Sequence, residues 1–302
     1  MFTDNAGRIR PIWAFVLSAL LSAAAFLSAG YFAVAIVGDH VLRFEMVFRP
    51  LLAVVLLAIF SWLLTIANHV ETHRIGAQGL PLSPGWAKQF GIGSAIGFLL
   101  VLVAVLPIVI WGGLSLKTTF NLLSTAKAAA VLAIAISGAL AEELMFRGYP
   151  FQRLVEGIGA TGAIAVFSVL FGVVHLSNPG ASVWGLINTV AIGVLLSVTY
   201  LRTRALWMPW GFHFAWNTTL GLVLGLPVSG FRLFNVAVHA TATGPKWLTG
   251  GSYGIEASLP GAVAIVVGLV ISWKTSLKPL QVPATTLTPE DLLEPTTPNV
   301  TN

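Results

Sequence analysis

The sequence contains no cysteine. Disulfides, thiolate metal sites, a cysteine nucleophile and lipidation on cysteine are therefore excluded. Charge is also scarce: 16 Lys and Arg and 11 Asp and Glu make up 9% of 302 residues, against roughly 25% in a soluble domain. The aspartates are Asp4, Asp39 and Asp291, and none falls in an apolar run, which excludes an aspartyl intramembrane protease. No run of five basic residues exists, so the net charge of +5 is not the footprint of a nucleic-acid partner. No internal repeat is visible, which removes the signature of many transporters.

What remains is apolar. Hydrophobic residues are 56% of the chain and the mean hydropathy is +0.87. A water-soluble enzyme of this size could not cover its surface with so few charges. The composition predicts an all-α polytopic membrane bundle. Apolar runs near 12–37, 48–69, 90–111, 126–147, 161–176, 183–201, 205–225 and 260–273 give about eight transmembrane helices, the fifth and eighth being short. The first run is too long for a signal-peptide core and is read as an uncleaved span. Residues 1–278 form the bundle, and 279–302, rich in Pro and Thr and acidic, read as a disordered cytoplasmic tail. With the N-terminus inside, ten basic residues fall on inner segments and six on outer ones. Both termini are then cytoplasmic, in a plasma membrane of bacterial type. The segment 226–259 becomes a long outer loop.

Ionisable groups inside apolar runs are costly and are functional candidates. Three clusters qualify. ISGALAEELMFRGYPFQRL carries Glu142, Glu143 and Arg147. Glu143 and Arg147 are four apart and share a helix face, whereas Glu142 lies ~100° round the helix. One carboxylate can pair and the other stays free. VFSVLFGVVHLSN ends on His175, four residues after Phe171. With a turn near Gly157–Gly159, Glu142 is 17 residues before Gly159 and His175 is 16 after it. An antiparallel hairpin brings them to similar depth. MPWGFHFAWNTTLGL carries His213 and Asn217, again i, i+4.

In order, EELMFR, FGVVH and HFAWN match E-E-x-x-x-R, F-x-x-x-H and H-x-x-x-N/B. This pattern resembles the CPBP family of intramembrane proteases, also called the Abi or CAAX-protease-and-bacteriocin-processing family, which includes the Ras-converting CAAX endopeptidase. The similarity is concentrated in about residues 125–225. It implies a bundle of about eight spans with a catalytic cavity open to the cytoplasm. It further implies that Glu142 is the general base, that His175 orients or activates the same water, and that His213 and Asn217 hold the oxyanion. Glu143, Arg147 and Phe171 would shape the site. The substrate class so implied is a protein or peptide, prenylated or membrane-anchored.

The chemistry is consistent with that assignment, since peptide hydrolysis needs an activated water and donors aimed at a developing oxyanion. Zinc or another divalent metal is conceivable on Glu142, His175 and His213, although the spacing H-E-x-x-H is absent. A non-catalytic membrane scaffold or immunity protein using the same polar cluster is the alternative reading, and a proton-coupled transporter a weaker one. Two further matches are rejected. Gly250–Gly254 fits G-x-S-x-G, but Ser252 lies in a loop without the strand and helix of a nucleophile elbow. His69, Glu71 and His73 sit at a span end and read as an interfacial segment.

Overall fold

A computed structural model describes residues 10–13, 15–17, 20, 79–118, 122–232, 238–274 and 279–280. The predicted spans 48–69 and most of 12–37 lie outside the described residues, as do His69, Glu71 and His73. Helices stand at the other six predicted positions. They are α1 (Trp86–Ile110), α2 (Leu122–Arg147), α3 (Tyr149–Val174), α4 (Val183–Thr203), α5 (Trp207–Thr218) and, after a short α6 (Lys246–Thr249), α7 (Leu259–Lys274). Among the described residues, three helical stretches are long and apolar enough to cross a membrane: Trp86–Ile110, Ala135–Ser177 and Val183–Thr203. α7, at 16 residues, is shorter.

The second of those stretches is not one straight rod. Gly148 and Pro150 interrupt it between α2 and α3, and Gly159 breaks α3 at φ 81° and ψ 165°. Glycine adopts that backbone at no side-chain cost. The chain reverses there. Arg147, twelve residues before Gly159, lies over the ring of Phe171, twelve residues after it. Phe151 meets Phe167 in the same way, eight residues on either side. The antiparallel hairpin expected from the sequence is therefore present. Its first arm is α2 extended by residues 149–158.

α1 and α5 run parallel and nearly touch. A Cβ on Gly93 would collide with the Met208 carbonyl oxygen, one on Gly97 with that of Phe212, and one on Gly211 with that of Phe90. Small residues at such spacing are how helices in lipid bring their backbones together. The register sets His213 level with Phe98, midway along α1. Around this pair lies a core of Leu100, Ile108, Leu196, Phe212, Leu220 and Ile265.

The connections gather at two ends. At one end Leu206 N donates to Gly79 O, Trp207 Nε1 to Pro81 O and Leu280 N to Thr203 O. Leu280 is buried there beside Ala205 and Trp207. At the other end the structure adds strands to the helical expectation. β1 (Leu114–Thr118) pairs antiparallel with β4 (Val238–Ala242), and β2 (Pro227–Val228) with β3 (Phe231–Arg232). Backbone that leaves the helices here satisfies its polar groups by pairing, so the described residues of 226–259 form a built element rather than a plain loop.

Candidate active site

Each motif residue reaches the site by helix geometry. Glu143 and Arg147, one turn apart on α2, are both fully buried, and Arg147 Nη1 lies 3.2 Å from Glu143 Oε1. Arg147 Nη2 also donates to Gly193 O of α4, at 3.3 Å. Its guanidinium stacks 4.6 Å from the centroid of Phe171, a cation–π contact that lowers the cost of burying the charge. Arg147, one of the ten basic residues counted on inner segments, is therefore not a membrane-edge residue. It is a buried group at mid-height of α4.

His213 joins this pair. Its Nδ1 is 2.9 Å from Glu143 Oε1, and its Nε2 is 3.7 Å from Glu142 Oε2. A carboxylate only accepts, so Nδ1 carries the hydrogen and Nε2 faces Glu142. Glu143 thus binds two cations or donors, and Glu142 is the carboxylate left over, as the sequence predicts. His175 Nδ1 lies 2.6 Å from Phe171 O. A carbonyl also only accepts, so His175 is fixed in the same tautomer with Nε2 free. Phe171 sits between the two histidines, with ring centroids 4.6 Å from His175 and 6.4 Å from His213.

Asn217 is one turn beyond His213 on α5 and half-buried. Immediately after it, from Thr219 to Val223, the helix widens into a π turn, a feature frequent at functional sites. The structure therefore brings Glu142, Glu143, Arg147, Phe171 and His213 into contact, adds His175 through Phe171, and places Asn217 on the next turn. Among the described residues no three His, Asp or Glu side chains are gathered closely enough to hold a metal ion. The donor types of Glu142, His175 and His213 suit zinc, but the three are not gathered as one ligand set.

Two features were not singled out in the sequence. Trp207, Trp210, His213 and Trp216 recur every third residue on α5. Each donates a ring N–H to a different partner: Pro81 O, Ile136 O, Glu143 Oε1 and Glu256 Oε1. That i, i+3 row was the available signal. The second is Glu256, the only acidic residue between Glu156 and Glu290. It is 4% exposed, and burial pushes its carboxyl above the usual range. Bonds from Ser229 and Trp216 and the nearby His175 pull the other way without reversing the shift.

Residues 124–219 match the model of a family described as Rce1-like, the type II CAAX prenyl endopeptidases. This is the family the three motifs resemble, and the matched stretch contains all of them. A curated relative, "Putative membrane peptidase YdiL" of Bacillus subtilis (strain 168), is 30% identical over 101 residues. That stretch covers 33% of this chain and 39% of the relative, so the similarity spans well under half of either protein. No solved structure matches. With the apolar helices, these similarities mark an integral membrane protein.

Proposed function

We propose that the protein is a membrane-embedded endopeptidase of the CAAX-protease type, hydrolysing a protein or peptide presented within the membrane. One observation carries the reading. Glu142, the carboxylate of the doublet that does not pair with Arg147, faces Nε2 of a histidine whose other nitrogen is held by Glu143. A helix-packing role needs the Glu143–Arg147 pair, but it gives Glu142 no task.

In this reading Glu142 takes a proton from water, with the free Nε2 of His175 orienting the same molecule. The water oxygen bonds to the scissile carbonyl carbon. The developing oxyanion is held by Nε2–H of His213 in its imidazolium form and by the Asn217 amide. Because Nδ1–H is committed to Glu143, Nε2 donates only when His213 is protonated, and Glu143 stabilises that state. Glu142 then passes its proton to the leaving nitrogen as the C–N bond breaks, which returns the site to its starting charge.

Detergent-solubilised protein should be incubated with membrane-anchored peptides, prenylated CAAX peptides among them, and compared with Glu142→Gln. The variant keeps shape and hydrogen-bonding capacity but cannot accept the proton. Turnover should fall by about 10²–10⁴-fold with the unfolding temperature unchanged. Parent-like turnover in Glu142→Gln would overturn the mechanism. A parent inert on every peptide, with equal destabilisation by all site changes, would favour the scaffold.

A further inference from the structure

Residues 226–258 lie beyond the stretch shared with the family, yet Ser229, Gly230 and Glu256 within it reach the site. The turn of the β2–β3 hairpin is Ser229–Gly230, with φ of +45° and +88°. Two successive positive φ values make the primed hairpin turn that glycine and asparagine favour. Serine there carries a conformational cost, so something must hold it. Glu256 does: its Oε2 accepts from both the backbone N–H and the hydroxyl of Ser229. Its Oε1 accepts from Trp216 Nε1, 3.1 Å away. Trp216 lies three residues after His213 and next to Asn217.

The same turn is held from the opposite side. Asn178, three residues after His175, donates Nδ2–H to Ser229 O at 3.0 Å. Gly230 packs so closely on the Pro179 carbonyl that a Cβ would collide with it. Asn188 of α4 fixes the short 3-10 turn that carries Glu256, bonding the carbonyls of Glu256 and Ser258 at 2.8 and 3.0 Å. The hairpin tip is thus a strut between the C-terminal end of α3, where His175 sits, and the Trp216 turn of α5, between His213 and Asn217.

We propose that Glu256 is a positioning residue for the site, its buried carboxyl anchoring the Ser229–Gly230 tip to Trp216 and so fixing the separation of His175 from the His213–Asn217 turn. The catalytic part of this rests on the endopeptidase reading, whereas the geometric part does not. Both histidines act on one reaction centre in that reading, and no direct bond joins them among the described residues. Their spacing has to be set from outside, and this strut spans the gap.

The absence of native cysteine makes the test direct, because introduced cysteines label uniquely. Spin labels at Leu176 and Val223, both exposed, report the two helix ends by pulsed electron resonance. The full-length protein should give one narrow distance distribution. Glu256→Ala should broaden it. Glu256→Gln keeps the acceptor for Trp216 and should broaden it less. Trp216→Phe removes the indole donor but keeps an aromatic ring in place, so it severs the strut where the alanine variant misfolds. With a cleavable peptide in hand, Glu256→Ala should lower kcat by ~10²-fold, the scale of a catalytic group displaced by about 1 Å, with KM unchanged and partial recovery in Glu256→Gln. Broadened distances without cleavage in the parent would sustain the strut and remove the enzyme reading. A distribution unchanged in Glu256→Ala and Trp216→Phe would end the proposal, whatever the activity.

Discussion

Two adjacent glutamates have opposite circumstances because a helix turns ~100° per residue. Glu143 faces inward, fully buried between Arg147 and His213. Glu142 is partly exposed and, among the described residues, meets the far nitrogen of His213. Their substitutions should therefore differ in kind. Glu143→Gln leaves Arg147 without its counter-charge in a low-dielectric interior, which commonly costs ~3–5 kcal/mol. It also turns an amide toward His213. A lowered unfolding temperature together with a lowered rate is expected. Calorimetry and the cleavage assay on the same preparation check it, and Glu142→Gln on that preparation should lose rate alone. The carboxylate split was legible in the sequence because it depends only on local spacing. Glu256 was not, since nothing local distinguishes a lone glutamate in a glycine-rich loop. Its burial arises from contacts with Ser229 and Trp216, 27 and 40 residues away in sequence.

Among elements, α5 is placed by its two kinds of surface. Toward α1 it makes the close backbone approaches at Gly93, Gly97 and Gly211, flanked by ring contacts of Trp207 with Trp86 and of Trp210 and Phe214 with Phe90. Toward everything else it sends ring N–H donors. Gly97→Ala forces a methyl group against the Phe212 carbonyl, beside His213. Overpacking of this kind typically costs ~1–3 kcal/mol, and here it should also move His213, so the melting curve and the rate should shift together. The 226–258 segment adds a pH effect. Glu256 retains its proton above the ordinary carboxylate range, with His175 and Tyr253 the titratable neighbours. Between the unfolded and folded values the folded chain holds a proton that the unfolded chain has released. Its contribution to stability is full below that window and is lost as pH rises through it. Glu256→Gln cannot titrate, so its unfolding temperature should vary less than the parent's from acidic to neutral pH. Sequence periodicity marked the helices here, but it gave no sign of the β strands. Their pairing joins Leu114–Thr118 to Val238–Ala242, a separation over which local patterns carry no information.

For the whole molecule, the two ends differ in charge. Among the described residues Arg10, Lys88, Arg153, Arg202, Arg204 and Lys274 belong to the end with Gly79 and Leu280. Lys117, Arg232 and Lys246 belong to the end with the strands. The positive-inside rule assigns the first end to the cytoplasm. A reporter fused after Lys278 should then read cytoplasm, and one inserted near Gly244 should read outside. The polar cluster, however, runs from mid-height of α1 toward the strand-bearing end, where His175 closes α3 and Glu256 reaches Trp216. A cytoplasmic cavity, as the family resemblance implies, and cytoplasmic termini therefore pull in opposite directions. The same pair of reporters decides between them.

The glycine contacts between α1 and α5 also make the bundle mechanically uneven. Two backbones in van der Waals contact have almost no compliance, since neither can yield by turning a side chain. α2 is joined to α5 by longer, softer links, a tryptophan N–H at 2.8 Å and a histidine–carboxylate contact at 2.9 Å. Strain applied anywhere will collect at that softer seam. Glu142 and His213 lie on opposite sides of it. Widening of the bundle at that seam would lengthen the 3.7 Å approach of the carboxylate to the imidazole before it disturbed the glycine contacts.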